Sequence, residues 1–107
     1  MLESSTIKSL TKLQLRKFRK QFPDWQLNTN ATKATLTAKF RNHIDALTFM
    51  ARVTVHAEVL QHHPDILFTY ATLKITLTTH EAQALTMRDV ALADCINKLC
   101  TEVNVTA

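Results

Sequence analysis

Not one of the 107 residues is glycine, where average usage would supply roughly seven in a hundred. Glycine enters left-handed backbone conformations without a steric penalty. Every tight turn here must therefore be made by Asn, Asp, Pro, Thr or Ser, or by a residue held under strain. A glycine-rich phosphate loop cannot exist, which argues against P-loop and Rossmann-type nucleotide binding. A Gly-x-Ser-x-Gly nucleophile elbow is excluded in the same way.

The length suits one domain spanning residues 1–107, because two halves would each be too small to bury a stable core. Hydrophobic residues at 46% and charged ones at 21% belong to a globular chain rather than a disordered one. A core of this size is modest, so self-association is expected to add stability. No apolar stretch approaches the roughly 18–20 residues of a membrane span. Met1-Leu2-Glu3-Ser4-Ser5 lacks the charged start and apolar run of a secretory signal. The expected location is cytoplasmic, with the nucleus open as well, and the sequons at Asn30 and Asn104 carry little weight there.

Net charge is +4, and the excess is local: Lys8, Lys12, Arg16, Lys17, Arg19 and Lys20 are opposed only by Glu3. Such a block can attract phosphates or nucleic acid, but its first reading is the solvated face of a helix. Cys95 and Cys100 lie five residues apart in a helical stretch, a spacing that suits neither a disulfide nor a zinc site. Both read as reduced core or interface thiols.

Leu10 to Phe22 reads as a helix with Ser9 or Thr11 as N-cap, ended by Pro23. Asp24 and Trp25 should follow in an exposed turn, with a short strand near Trp25. Lys33 to Phe40 alternates as a half-buried strand, with Ala34, Leu36, Ala38 and Phe40 on one side. Asn42 caps a helix to about Leu60, with Ala46, Met50, Val53, Ala57 and Leu60 as its apolar stripe, and Pro64 closes it. Ile66 to Tyr70 and Leu73 to Thr78 are two further strands. Thr86-x-x-Asp89 is a capping box opening a last helix, whose stripe is Val90, Ala93, Ile96, Cys100 and Val103. Strands joined by short connections favour an antiparallel sheet covered by helices, an α+β fold.

The chemistry concentrates between Glu58 and Asp89. Adjacent His62 and His63 cannot face one point, because neighbours diverge by about 100° on a helix and alternate on a strand. A three-histidine metal site would need His80, one of that pair, and His43 or His56 at no motif-like spacing, so no metal is expected. Imidazoles suit proton transfer near neutral pH. From the residues alone, an acid–base site around His62, His63 and His80 is one reading and three surface histidines the other.

The pattern Glu58-x3-His62-His63-Pro64-x5-Tyr70-x9-His80-x8-Asp89 resembles the signature of pterin-4a-carbinolamine dehydratases. Phe49-Met50-Ala51-Arg52-Val53, Ile75-Thr76-Leu77-Thr78-Thr79-His80-Glu81 and Leu85-Thr86-x-Arg88-Asp89 extend the similarity, which runs from about Trp25 to Leu99. The resemblance implies a four-stranded antiparallel sheet with three helices on one face, assembled as a homodimer or homotetramer. It implies a lyase that works without cofactor, dehydrating 4a-hydroxytetrahydrobiopterin, the product left by aromatic amino-acid hydroxylases, to quinonoid dihydrobiopterin. By the same resemblance His62 and His80 form the acid–base pair and His63 holds substrate. Glu58 and Asp89 orient imidazoles or hold the pterin's edge, and Arg88 steadies that carboxylate or the ligand. Trp25 flanks the site and either packs on the flat ring or only plugs the edge of the core, while Pro64 stops the helix and sets the direction of His63. Tyr70 is read as packing.

The chain departs from the family pattern in places. Gln61 stands where an acidic residue often precedes the histidine pair, and Asp24, Thr48 and Ala84 stand where glycine is common. A left-handed Ala84 would cost about 1 kcal/mol. The alternative function is a binding module, since some family members act as coactivators that stabilise dimers of a homeodomain transcription factor. No base-reading motif is present, so nucleic acid is not the expected partner.

Overall fold

The computed structural model describes residues 7–103. The N-terminal pentapeptide with Glu3, and the sequon at Asn104, lie outside the described residues. In chain order the elements are α1 (Lys12–Gln21), β1 (Gln26–Leu27), β2 (Ala34–Lys39), α2 (His43–Leu60), β3 (Asp65–Thr69), β4 (Thr72–Leu77) and α3 (Met87–Val103). The strands form one sheet in the order β1-β2-β4-β3, with every neighbour antiparallel. The expected α+β architecture is borne out.

Alternation decides which face of the sheet is covered. Ala34, Leu36 and Ala38 of β2 stand opposite Leu77, Ile75 and Leu73 of β4, and all six are buried. Thr37, Lys39 and Lys74, on the other face, are exposed. Small alanines opposite larger aliphatics leave room for Phe18, Phe49, Leu92 and Ile96 from the helices, which join the same core.

The helix limits follow from capping. Thr11, not Ser9, caps α1: its side chain accepts from the Gln14 N–H while Gln14 reaches back to the Thr11 N–H, a complete capping box. Asn42 caps α2 on the Asp45 N–H. The inward stripe of α2 is Ala46, Phe49, Val53 and Ala57, so Phe49 replaces the expected Met50, and Leu60 is open to solvent. In α3 the buried positions include Leu92 and Leu99 beside the expected Ala93 and Ile96, while Val103 is exposed. A second correction concerns Trp25. It is 3% exposed, because Phe22 accepts its backbone N–H and Asn97 accepts its indole N–H at 2.9 Å. It packs as a core residue and not in an exposed turn.

Without glycine, four other residues take positive φ: Ala31, Gln61, Tyr70 and Gln83. Each makes a chain reversal. Ala31 lies in the β1–β2 loop, where Asn28 Oδ1 accepts from both the Thr32 and Lys33 N–H groups. Tyr70 is the first of two residues joining β3 to β4, where glycine is usual. Gln83, and not Ala84, carries the left-handed turn before α3, while Ala84 pairs with Thr79 in an isolated bridge. Thr48 lies within α2, and neither it nor Asp24 has a positive φ. The expected strain falls elsewhere.

Gln61 matters most for the site. With φ at 52°, it lets its own N–H reach the Glu58 carbonyl at 3.2 Å and the His62 N–H reach the Ala57 carbonyl at 3.0 Å. These two bonds make a Schellman motif. Helix α2 is thus stopped at Gln61, three residues before Pro64, and the chain is turned so that His62 points back under it. A non-glycine residue in this conformation costs roughly 1–2 kcal/mol. Gln61→Gly gives up a side-chain bond to the Glu58 carbonyl and is expected to raise stability by about 0.5–1 kcal/mol net. In a thermal melt followed by circular dichroism, the midpoint should rise by a few degrees.

Candidate active site

Two adjacent histidines leave the end of α2 in different directions. His62 turns inward and is 8% exposed, with Nε2 at 2.6 Å from Asp89 Oδ1 on α3. His63 stays at the surface, where Nε2 contacts the Glu58 carboxylate one turn back on α2. The divergence expected of neighbouring side chains therefore hands the two imidazoles to different carboxylates.

Asp89 is fully buried, and its position comes from the start of α3. Its Oδ2 accepts the Thr86 N–H at 2.9 Å and the Thr79 hydroxyl at 2.8 Å. The Thr86 hydroxyl accepts the Arg88 N–H at 3.2 Å and lies 2.7 Å from the Thr79 hydroxyl. Asp89 thus supplies its half of the expected capping box, while the Thr86 hydroxyl caps the second helical N–H, one of the accepted cap geometries. One carboxylate oxygen closes the helix cap and the other meets the imidazole, so a capping role and a site role coexist in Asp89. A buried carboxylate is tolerated only when its lone pairs are occupied, and here both oxygens are.

His80 directly follows Thr79 and so leaves this network at the end of β4. It is exposed and borders a shallow depression of about 390 Å³ with Asn30, Thr32, Lys33, Thr78 and Gln83. Burial pushes the Cys100 thiol up to about 11, with the charge of Asp24 adding to it, so it is no thiolate at neutral pH. Both cysteines are free. Among the described residues, no three His, Cys, Asp or Glu side chains gather as a metal ligand set, and no helix is long and apolar enough to cross a membrane.

The sequence model of the family described as pterin 4 alpha carbinolamine dehydratase matches residues 8–99. The chain belongs to this family. The match begins earlier than the motif-bearing region from Trp25 and takes in α1. A relative from Halorhodospira halophila, named "Putative pterin-4-alpha-carbinolamine dehydratase", is 43% identical over 79 residues, 74% of this chain and 72% of that protein. A relative of the same name from Prochlorococcus marinus (strain MIT 9303) is 40% identical over 90 residues, 84% of this chain and 92% of that protein. Among solved structures, a transcriptional coactivator/pterin dehydratase from Brucella melitensis superposes with a TM-score of 0.81 at 28% identity. It covers 86% of this chain and 98% of its own. The family is one of hydro-lyases, and this chain is an enzyme of that class.

Placed in this dehydratase-family fold, the residues nominated from sequence separate into groups. His62 and Asp89 are joined directly, His63 and Glu58 form a second pair, and His80 leaves the strand end beside Thr79. The Asp89 carboxylate is enclosed and meets the His62 ring. Trp25 has its ring packed in the core and its N–H on Asn97. Arg88 sits 3.5 Å from Glu81 and pairs with it rather than with Asp89. Pro64 follows His63 but does not stop the helix. Tyr70 stacks on His43, which stacks in turn on Phe68, in keeping with a packing role. Sequence reasoning missed the hydroxyl of Thr79 as a partner of the site. A buried threonine looks like any strand residue until the fold brings an acid to it.

Two outcomes follow from this arrangement. Asp89→Ala strands the Thr79 hydroxyl, the Thr86 N–H and His62 together, and should lower unfolding free energy by roughly 3 kcal/mol in urea titration. Alkylation of Cys100 by iodoacetamide at pH 8, mapped by peptide mass, should run at least about tenfold slower than that of an unperturbed thiol.

Proposed function

We propose that this chain dehydrates 4a-hydroxytetrahydrobiopterin to quinonoid dihydrobiopterin by histidine acid–base catalysis, in support of tetrahydrobiopterin recycling. The observation that carries the reading is a buried imidazole, His62, set by an enclosed carboxylate, in a chain of the pterin 4 alpha carbinolamine dehydratase family.

The reaction needs one proton delivered to the 4a-hydroxyl as the C4a–O bond breaks and water leaves. It needs one proton taken from N5 as the C4a–N5 double bond forms. Water is the net loss, so a pair of groups that trade one proton each way suffices. His62 and His80 are assigned this pair. His63, braced by Glu58, is assigned to substrate binding at the exposed rim. Arg88 and Pro64 remain substrate-side candidates by position, Arg88 through its ion pair with Glu81. No cofactor has a part in this scheme.

A homodimer or homotetramer is the proposed assembly. Supporting it, Ile44, Leu47, Val55 and Val59 are exposed on α2, along the side opposite its buried stripe at helical spacing. The binding-module alternative draws nothing from the His62–Asp89 network, which a non-catalytic adaptor would not need.

The test is the rate of loss of 4a-hydroxytetrahydrobiopterin, followed by ultraviolet absorbance. Wild-type protein should accelerate it, and His62→Ala and His80→Ala should each lose about 10²–10⁴-fold. A wild-type protein no faster than buffer would sink the reading.

A further inference from the structure

We propose that Thr79 and Thr86 are positioning residues that fix the tautomer of His62, so that it meets the reacting pterin through Nδ1. The inference rests on the dehydratase reading and adds to it the atom that exchanges the proton.

The hydrogen bonds around Asp89 allow one set of donor directions. A hydroxyl has one proton to give. The Arg88 N–H donates to Thr86 Oγ1, and Thr79 Oγ1 donates to Asp89 Oδ2. With its proton spent on Asp89, Thr79 can only accept across the 2.7 Å contact between the two hydroxyls. Thr86 is therefore the donor in that contact. The chain runs one way, from the Arg88 N–H through Thr86 and Thr79 to the carboxylate. The Thr86 N–H adds a second donor on Oδ2. Every group that reaches Asp89 from the helix cap and the strand end brings a proton to it.

A carboxylate held this way is an acceptor at its remaining oxygen as well. Oδ1 faces His62 Nε2 at 2.6 Å, so Nε2 carries hydrogen. In the neutral ring Nδ1 then holds the lone pair, because the nitrogen not engaged as a donor is the acceptor. Nδ1 takes a proton to form the imidazolium or returns it from the imidazolium, and Nε2–H stays on Asp89 in both states. Either assignment of His62, as acid or as base, uses the same atom and leaves the buried network unchanged.

Both threonines belong to the core by exposure, Thr79 at 0% and Thr86 at 2%. Both contact Asp89 directly. Thr79→Val keeps the shape and removes one donor. Oδ2 then rests on the Thr86 N–H alone, and the Thr86 hydroxyl loses its acceptor. Thr79→Ser restores both.

The experiment is ¹⁵N NMR of histidine-labelled protein, with His62 assigned by loss of its signals in His62→Gln, alongside kinetics of Thr79→Val and Thr79→Ser. With the ring neutral, His62 Nε2 should fall in the protonated, pyrrole-like range and Nδ1 in the unprotonated, pyridine-like range. Thr79→Val should move both nitrogens toward averaged values and lower kcat by roughly tenfold, as for one lost bond to a charged group, with KM within about twofold. Thr79→Ser should return both readouts toward wild type. An active protein with His62 protonated on Nδ1 would overturn the inference and leave the dehydratase reading standing. So would a folded Thr79→Val protein whose tautomer and kcat match wild type. An inactive wild-type protein with His62 held as Nε2–H would bear out the tautomer and overturn the dehydratase reading alone.

Discussion

The Asp89 carboxylate is the junction on which the rest of the molecule turns. It has no exposed surface, yet it joins the first turn of α3, the exit of β4 through Thr79 and the exit of α2 through His62. Three segments distant in sequence converge on two oxygens. Removing a charged group from water is costly, and the cost is offset only where every lone pair finds a donor. The four groups therefore support one another. Fold and site share these bonds, so the stability of the sheet–helix junction and the orientation of the imidazole are coupled.

The absence of glycine has a structural signature at four turns, and one lies against the site. Gln61 closes α2 in a left-handed conformation, and its own N–H and that of the next residue, His62, complete the motif. The direction in which His62 leaves the helix is a consequence of that strained residue, as its inward burial is a consequence of Asp89. Local strain and a buried acid cooperate on one ring. Where Asn28 organises the β1–β2 loop, side-chain acceptors stand in for the freedom that glycine would have supplied.

Much of the fold could be read along the chain. Alternation marked β2 and β4, Thr11, Asn42 and Thr86 marked helix starts, and short connections favoured an antiparallel sheet. Errors gathered where two periodicities compete. Along α2 both faces carry apolar side chains, Ile44, Leu47, Val55 and Val59 outside and Ala46, Phe49, Val53 and Ala57 inside, so the expected stripe found Ala46, Val53 and Ala57 but took Met50 and Leu60 where the buried residue is Phe49. Trp25, after Pro23 and Asp24, has the local marks of a turn. Its burial depends on Asn97, seventy-two residues on, which no local pattern reports.

Residue order by itself determined the element types, the capping box at Thr86 and Asp89, and the divergence of His62 from His63, because these rest on backbone periodicity and on bonds between near neighbours. The motif spacing pointed to a family that the comparisons bear out. Only the tertiary structure decided which carboxylate each histidine receives, that Asp89 is enclosed, and that Thr79 belongs to its network. Those outcomes depend on contacts across 27, 10 and 7 positions of chain. Hydrogen-bond satisfaction at that range is set when the core closes and buried polar groups must find one another.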